Sequence, residues 1–286
     1  MKLKEIKSKF NDDLHGLYPG LEIDSFFKLL SEAYLNLSPV ETVLQADMEI
    51  EPAIHEKFAE AVDRLKVYEP IQYITGETEF FGLPLKVTPE TLIPRPETEE
   101  LVKLTLQEVA KAETTEKLRI LDIGTGAGCI AIALAKNLPD AEISAMDVSE
   151  EALKVAEENA ALNNVDVNFF QGDILTMESL PEKYHFIVSN PPYVRLSEKR
   201  MMDANVVDYE PELAIFVTDE DPLLFYRKIA QLAKLQLTEN GKLFFEINEY
   251  LGEDLLAVII PEDFDNINLI KDIYGKNRML QCTYKP

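Results

Sequence analysis

Apolar residues recur at spacings of three and four through the first seventy positions, as in Phe26, Leu29, Leu30, Ala33, Tyr34 and Leu37. That is the period of a helix with one buried face. Asp24 stands where it can cap this helix, and a second helix is expected over Ala53 to Leu65. No alternating strand pattern interrupts the stretch, so residues 1–70 are expected to form a small helical domain. Between 71 and 96 the character changes: Pro84, Pro89, Pro94 and Pro96 punctuate the chain, with Gly76 and Gly82. Two short β-rich pieces, Glu79–Phe81 and Leu85–Val87, predict a hairpin linking the helical domain to the rest of the chain.

From 97 to 286 strands and helices alternate. Helices are expected over Glu97–Lys111, Cys129–Lys136, Glu150–Asn163 (capped by Ser149) and Pro222–Leu237. Strands are expected over Leu118–Ile123, Glu142–Asp147, Val165–Phe170, His185–Ser189 and Lys242–Ile247. Such alternation predicts an α/β domain, a mostly parallel sheet covered by helices on both faces. The tail departs from it: Ile267–Ile273 and Met279–Tyr284 flank Tyr274–Arg278 and predict a closing antiparallel hairpin.

Composition adds limits. A chain of 286 residues, 46% hydrophobic, can bury a sizeable core. It has no apolar run near the ~20 residues a membrane span needs, and the opening MKLKEIKSKFNDDL lacks the apolar core of an export signal. Two cysteines, Cys129 and Cys282, are too few for a disulfide framework and suit a reducing cytoplasm. No histidine stands at ligand spacing from a cysteine or another histidine, so no metal site is expected. The net charge of −24 argues against a direct nucleic-acid partner, which calls for a basic patch against phosphate.

The sharpest local feature is RILDIGTGAGCIAIALA. A strand ends at Asp122-Ile123, then Gly124, Thr125, Gly126, Ala127 and Gly128 lead into a helix. Glycines let the backbone turn and approach a ligand closely, at the carboxyl end of a strand where open α/β sheets bind ligands. The second strand ends in Asp147, which can accept hydrogen bonds from both hydroxyls of a ribose. After the third strand, Asp173 can receive an adenine amino group and Ile174 can pack on the ring. The third glycine comes one residue earlier than in the dinucleotide fingerprint, which puts S-adenosylmethionine ahead of NAD as the cofactor.

The fourth strand runs into Asn190, Pro191, Pro192 and Tyr193. Methylating a planar nitrogen requires holding an NH₂ group in line with the donor methyl. Two acceptors can do this, the Asn190 side-chain oxygen and the Pro191 carbonyl. The prolines stiffen the turn, and Tyr193 can lie against the flat face of the acceptor. The chemistry then rests on positioning, and no general base is demanded.

The segments EPIQYITGETEFFGLPL, LIPRPETEELV, ILDIGTGAGCIAIALA, DVSEEALKVAEENA, VSNPPYV and YEPELAIF resemble, over essentially the whole chain, the protein-(glutamine-N5) methyltransferases of the PrmC/HemK type. The resemblance implies a Rossmann-like class I S-adenosylmethionine-dependent methyltransferase domain, a linking hairpin and an N-terminal helical domain that docks the substrate. It implies a substrate too, the glutamine of the Gly-Gly-Gln loop of class 1 peptide chain release factors, bound by Asn190 to Tyr193, with Arg95 and Glu97 in support. The chain departs from the family at Asp221-Pro222-Leu223 and Glu246-Ile247-Asn248, both expected to lie away from the chemistry, and at Ile174, where some relatives carry an aromatic. Three rivals remain: an N6-adenine methyltransferase acting on a flipped base, a glutamine methyltransferase acting on a ribosomal protein, and a non-catalytic nucleotide-binding module.

Overall fold

The computed structural model describes residues 1–112 and 116–285. They cluster into two compact units, Met1–Glu77 with Asp203–Tyr209, and Thr78–Met202 with Glu210–Pro286.

The first unit contains α1 (Leu3–Leu14), α2 (Gly20–Leu35), α3 (Pro39–Leu44), α4 (Pro52–Lys66) and α5 (Ile71–Thr75). Phe10, Phe27 and Phe58 meet at its centre, with ring centroids 5.5 and 5.4 Å apart. α2 begins a turn earlier than expected, because Ile23 is also buried and extends the apolar face toward the N-terminus. Asp24 therefore does not cap the helix. It sits inside it and pairs with Lys7 at 2.8 Å. The buried stripe is Ile23, Phe27 and Leu30, and Leu29 is 42% exposed. A distant piece of chain completes the unit, with the Tyr209 hydroxyl donating to the Val67 carbonyl at 2.8 Å.

The second unit opens with the hairpin β1 (Glu77–Phe80) and β2 (Leu83–Lys86). Both turn residues, Phe81 and Gly82, have positive φ (54° and 72°), the requirement of the two-residue turn that matches strand twist. Phe81 is held in this unfavourable region in part by Glu99, which accepts its backbone N–H at 2.7 Å.

Beyond the hairpin lie α6 (Pro96–Val109), β3 (Arg119–Ile123), α7 (Cys129–Asn137), β4 (Glu142–Asp147), α8 (Glu150–Asn163), β5 (Asn168–Gln171) and β6 (Tyr184–Ser189). Short pieces come after β6: β7 (Val194–Arg195), α9 (Ala204–Val207, in the first unit), α10 (Glu212–Ile215) and β8 (Phe216–Val217). The chain ends with α11 (Leu224–Gln236), β9 (Leu237–Glu246), α12 (Gly252–Ile259), β10 (Phe264–Lys271) and β11 (Asn277–Tyr284). Two asparagines of α8 tie the hairpin to that helix. Asn159 accepts from the Lys86 N–H (2.6 Å) and donates to its carbonyl (2.9 Å), and Asn163 donates to the Pro84 carbonyl (2.8 Å). Ser149 caps α8 as expected, accepting from the Ala152 N–H. β5 starts later than the apolar pattern suggests because Asn164 ends α8 in the left-handed region and the Val165 N–H is used on the Ala160 carbonyl. α12 has no counterpart among the expected elements.

Among the described residues the main sheet has seven strands, ordered β10-β11-β9-β6-β3-β4-β5. β3 to β6 and β9 are parallel, and β10 and β11 form the expected antiparallel hairpin. Alternate residues feed two cores on opposite faces: Leu121, Ile187 and Phe245 on one, Ile120, Phe186 and Phe244 on the other. From β3 the chain winds outward through β4 and β5, then returns to place β6 on the other side of β3. The carboxyl ends of β3 and β6 thus flank a topological switch point, where such sheets bind ligands.

Gly128, the first residue before α7, has φ +86°, and a Cβ on it would lie 2.9 Å from Ile132 Cδ1 and 3.1 Å from Ala156 Cβ. Gly128→Ala combines left-handed strain with overpacking between α7 and α8. It is expected to cost on the order of 2–4 kcal/mol of stability, measurable as a lowered urea midpoint at unchanged slope.

Candidate active site

Gly124 and Thr125 turn the chain out of β3 by donating their backbone N–H groups to the Met146 carbonyl at 2.9 and 3.0 Å. Asp147, at the end of β4, is held by its own neighbours: Oδ2 accepts from the Gly126 N–H at 2.8 Å and Oδ1 from the Ser149 N–H at 3.0 Å. Each oxygen keeps a further lone pair for a ligand hydroxyl. Asp173 is fixed in the same way, with Oδ1 accepting from the Leu175 N–H at 2.9 Å.

These strand ends surround a cavity of about 430 Å³. Its wall includes Gly124, Thr125, Gly126, Ala127, Asp147, Asp173, Ile174, Asn190, Pro191 and Pro192, all singled out from the sequence. Gly128 faces Ile132 and Ala156 instead, and Tyr193 directs its hydroxyl to Glu246. An added Cβ at Gly124 or Gly126 would meet no heavy atom within 4 Å, and both residues have positive φ. The loop is therefore a cradle left open on the ligand side.

Two further stretches of wall are not expected from residue patterns: Glu90 to Leu92, and Pro211 to Ala214. Leu92 and Pro211 to Ala214 belong to segments that carry the family resemblance, and Glu90 and Thr91 lie just before the first of these segments. One buried carboxylate joins them. Glu210 accepts from the Ile93 N–H at 3.1 Å and forms an ion pair with Arg95. Arg95 thus supports the wall, while Glu97 stands in the first turn of α6.

The register Ser189↔Phe245 between β6 and β9 puts Asn190 and Glu246 at neighbouring strand ends. Between them stands Thr98, buried in the first turn of α6. Asn190 Nδ2 donates to Thr98 Oγ1 at 3.2 Å, and the Thr98 hydroxyl donates to Glu246 Oε2 at 2.6 Å. The other carboxylate oxygen, Oε1, accepts from the Tyr193 hydroxyl at 3.1 Å, and Asn248 Nδ2 donates to the Tyr193 carbonyl at 3.3 Å. The expectation that Glu246-Ile247-Asn248 lies away from the chemistry is therefore wrong: parallel pairing brings it beside Asn190 and Tyr193. Asp221, in the other departure, pairs with Arg227 at 2.7 Å. Burial raises the Glu246 carboxyl above its ordinary range, opposed by the two hydroxyl donors and by the Arg278 charge. Burial likewise raises the Tyr193 phenol, reinforced by Glu246.

Asp122, the residue before Ile123, is fully buried and accepts from Thr125 Oγ1 at 2.6 Å. Burial pushes its carboxyl up to about 7, and the Asp147 charge adds to the rise. A folded-state value above the unfolded ~3.9 means the contribution to stability is full below pH ~3.9 and fades as pH rises to about 7. Asp122→Asn keeps an acceptor for Thr125 without the charge. Melting temperatures taken from pH 4.5 to 8 are expected to shift in favour of the variant as pH rises, and a pH-independent difference would contradict this.

Among the described residues no group of three or more His, Cys, Asp or Glu side chains could hold a metal ion, and no helix is long and apolar enough to cross a membrane.

Comparison with known proteins gives two family matches, to the PrmC N-terminal domain over residues 21–76 and to the methyltransferase small domain over residues 102–208. The chain is 48% identical over 285 residues to a release factor glutamine methyltransferase of Flavobacterium psychrophilum, covering 100% of both chains. It is 43% identical to one of Bacteroides thetaiotaomicron, covering 97% of this chain and 99% of that one. Among solved structures, a methyltransferase of Pyrococcus furiosus superposes with a TM-score of 0.53 at 20% identity, covering 72% of this chain and 91% of that one. It matches the fold alone.

Proposed function

The chain belongs to the release factor glutamine methyltransferases, and from that premise we propose that it transfers a methyl group from S-adenosylmethionine to the N5 amide nitrogen of the glutamine in the Gly-Gly-Gln loop of class 1 peptide chain release factors. The enzyme is a class I S-adenosylmethionine-dependent methyltransferase. The observation that carries the amide reading is the placement of Asn190: at the switch point, with its NH₂ engaged by Thr98, so that its oxygen is the end left to accept from a substrate N–H.

The cavity fits the cofactor. Gly124 to Ala127 leave room for close backbone approach, Asp147 accepts from ribose hydroxyls, Asp173 accepts from the adenine amino group, and Ile174 packs on the ring. When bound, S-adenosylmethionine supplies a methyl group activated by its sulfonium. Asn190 Oδ1 and the Pro191 carbonyl each accept one amide N–H of the glutamine and so aim its nitrogen at that methyl. Pro191 and Pro192 hold the turn rigid. The amide nitrogen gains positive charge as the N–C bond forms and the C–S bond breaks, so both N–H donors strengthen their hydrogen bonds in the transition state. The surplus proton then passes to solvent. The helical unit docks the release factor, and the site of action is the cytoplasm, with neither nucleic acid nor membrane as a direct partner.

The test is transfer of labelled methyl to four acceptors: a class 1 release factor, the same factor with its loop glutamine changed to alanine, a ribosomal protein and duplex DNA. Label on the first alone is the expected result. Equal labelling of the mutant factor, or label on the ribosomal protein or DNA, overturns the substrate assignment.

A further inference from the structure

Glu246 is 1% exposed and Thr98 2%. A carboxylate at such depth is costly unless its oxygens are occupied, and here each accepts one hydroxyl, Thr98 on Oε2 and Tyr193 on Oε1. A hydroxyl has a single proton. While the Thr98 hydroxyl donates to Glu246, its oxygen can only accept from Asn190. An Asn side chain has two ends of nearly equal shape and opposite hydrogen-bonding character, and packing alone does not choose between them. The hydroxyl direction does: it demands the NH₂ end and turns the oxygen away from Thr98.

We propose that Thr98 and Glu246 are positioning residues for amide recognition: the Glu246 carboxylate sets the direction of the Thr98 hydroxyl, and that direction sets which end of the Asn190 side chain meets the substrate. The inference rests on the amide reading of the site and adds two residues to it. Three elements converge to build the relay. β9 supplies the carboxylate, the first turn of α6 supplies the hydroxyl, and the turn after β6 supplies the amide. Without Thr98, Asn190 can present its NH₂ group to the N–H of the glutamine amide, donor against donor, and that population is unproductive. The release factor still docks through its other contacts, so the loss falls on kcat rather than on KM.

The experiment is a double-mutant cycle on the full-length enzyme with a class 1 release factor, reading kcat, KM and the calorimetric Kd for S-adenosylmethionine. Thr98→Val is expected to lower kcat at least tenfold, with KM and the cofactor Kd within about threefold of wild type. Thr98→Ser, which restores the hydroxyl, is expected to return kcat to within about threefold. In an Asn190→Ala background, Thr98→Val is expected to cost nothing further, because Thr98 acts through Asn190. Cofactor Kd and melting temperature identify any variant that fails to fold, and the serine variant then carries the comparison. A serine variant as slow as the valine one overturns the relay, as do additive losses in the cycle. Asn190→Ala turning over at the wild-type rate removes the amide reading, and the relay with it. Slow Asn190→Ala with additive losses overturns the relay alone.

Discussion

Asn190→Ala is expected to lower kcat for methylation of a class 1 release factor by about 100- to 1,000-fold, the range found when one preorganised polar group facing developing charge is removed, while leaving the Kd for S-adenosylmethionine within about threefold. The split comes from where the charge appears. In the ground state the glutamine amide is neutral, and its N–H groups bind Asn190 or water about equally well. In the transition state the nitrogen becomes cationic, its N–H bonds polarise, and the Asn190 oxygen gains most of its stabilising effect there. An interaction worth more in the transition state than in the ground state appears in kcat. The contacts proposed for the cofactor, with the glycine loop, Asp147 and Asp173, are left untouched by this substitution. Single-turnover methyl transfer, with calorimetry of cofactor binding, checks both halves. Turnover within tenfold of wild type would show that Asn190 does not hold the reacting amide.

The part of this site that can be read from the sequence is the part written locally. A strand, a glycine turn and a helix are contiguous from Arg119 to Asn137, and strand ends at Asp147 and Asn190 can be read from the apolar runs before them. Thr98 and Glu246 leave no such trace. Thr98 sits in the first turn of a helix, where a threonine is unremarkable, and it meets Asn190 across 92 positions and Glu246 across 148. Only the strand order brings them together, and β9 lying beside β6 is not encoded in the local pattern of either strand. The same holds for Glu210 and Arg95, 115 positions apart: each lies in a recognisable segment, but nothing in the residues says that the segments meet. Errors in element boundaries have a different source. The start of α2 escapes the pattern because Asp24 offers a capping side chain while buried Ile23 extends the helix past it. The start of β5 escapes it because Val165 is apolar in a position that the end of α8 uses.

Asp147→Ala is expected to show the opposite kinetic signature, raising the Kd for S-adenosylmethionine by about 10- to 100-fold, as loss of hydrogen bonds to a charged group predicts, with kcat at saturating cofactor close to wild type. Asp147 touches no reacting atom in this scheme, so its interaction is the same in ground and transition states and weakens only binding. Asp147 also anchors the Gly126 and Ser149 N–H groups, and truncation loosens the loop as well as removing the acceptor. Asp147→Asn separates these effects. The asparagine oxygen can keep one backbone N–H while the charge and the second acceptor are lost, so its Kd should fall between wild type and the alanine variant. If instead the alanine variant binds cofactor normally and loses turnover, the carboxylate does not hold the ribose. The assignment of the second strand end to the nucleoside would then fall, although Asn190 would keep its place at the acceptor. If both signatures appear as stated, binding and chemistry are divided between two sides of the switch point, with the β4 end retaining the cofactor and the β6 end aiming the amide.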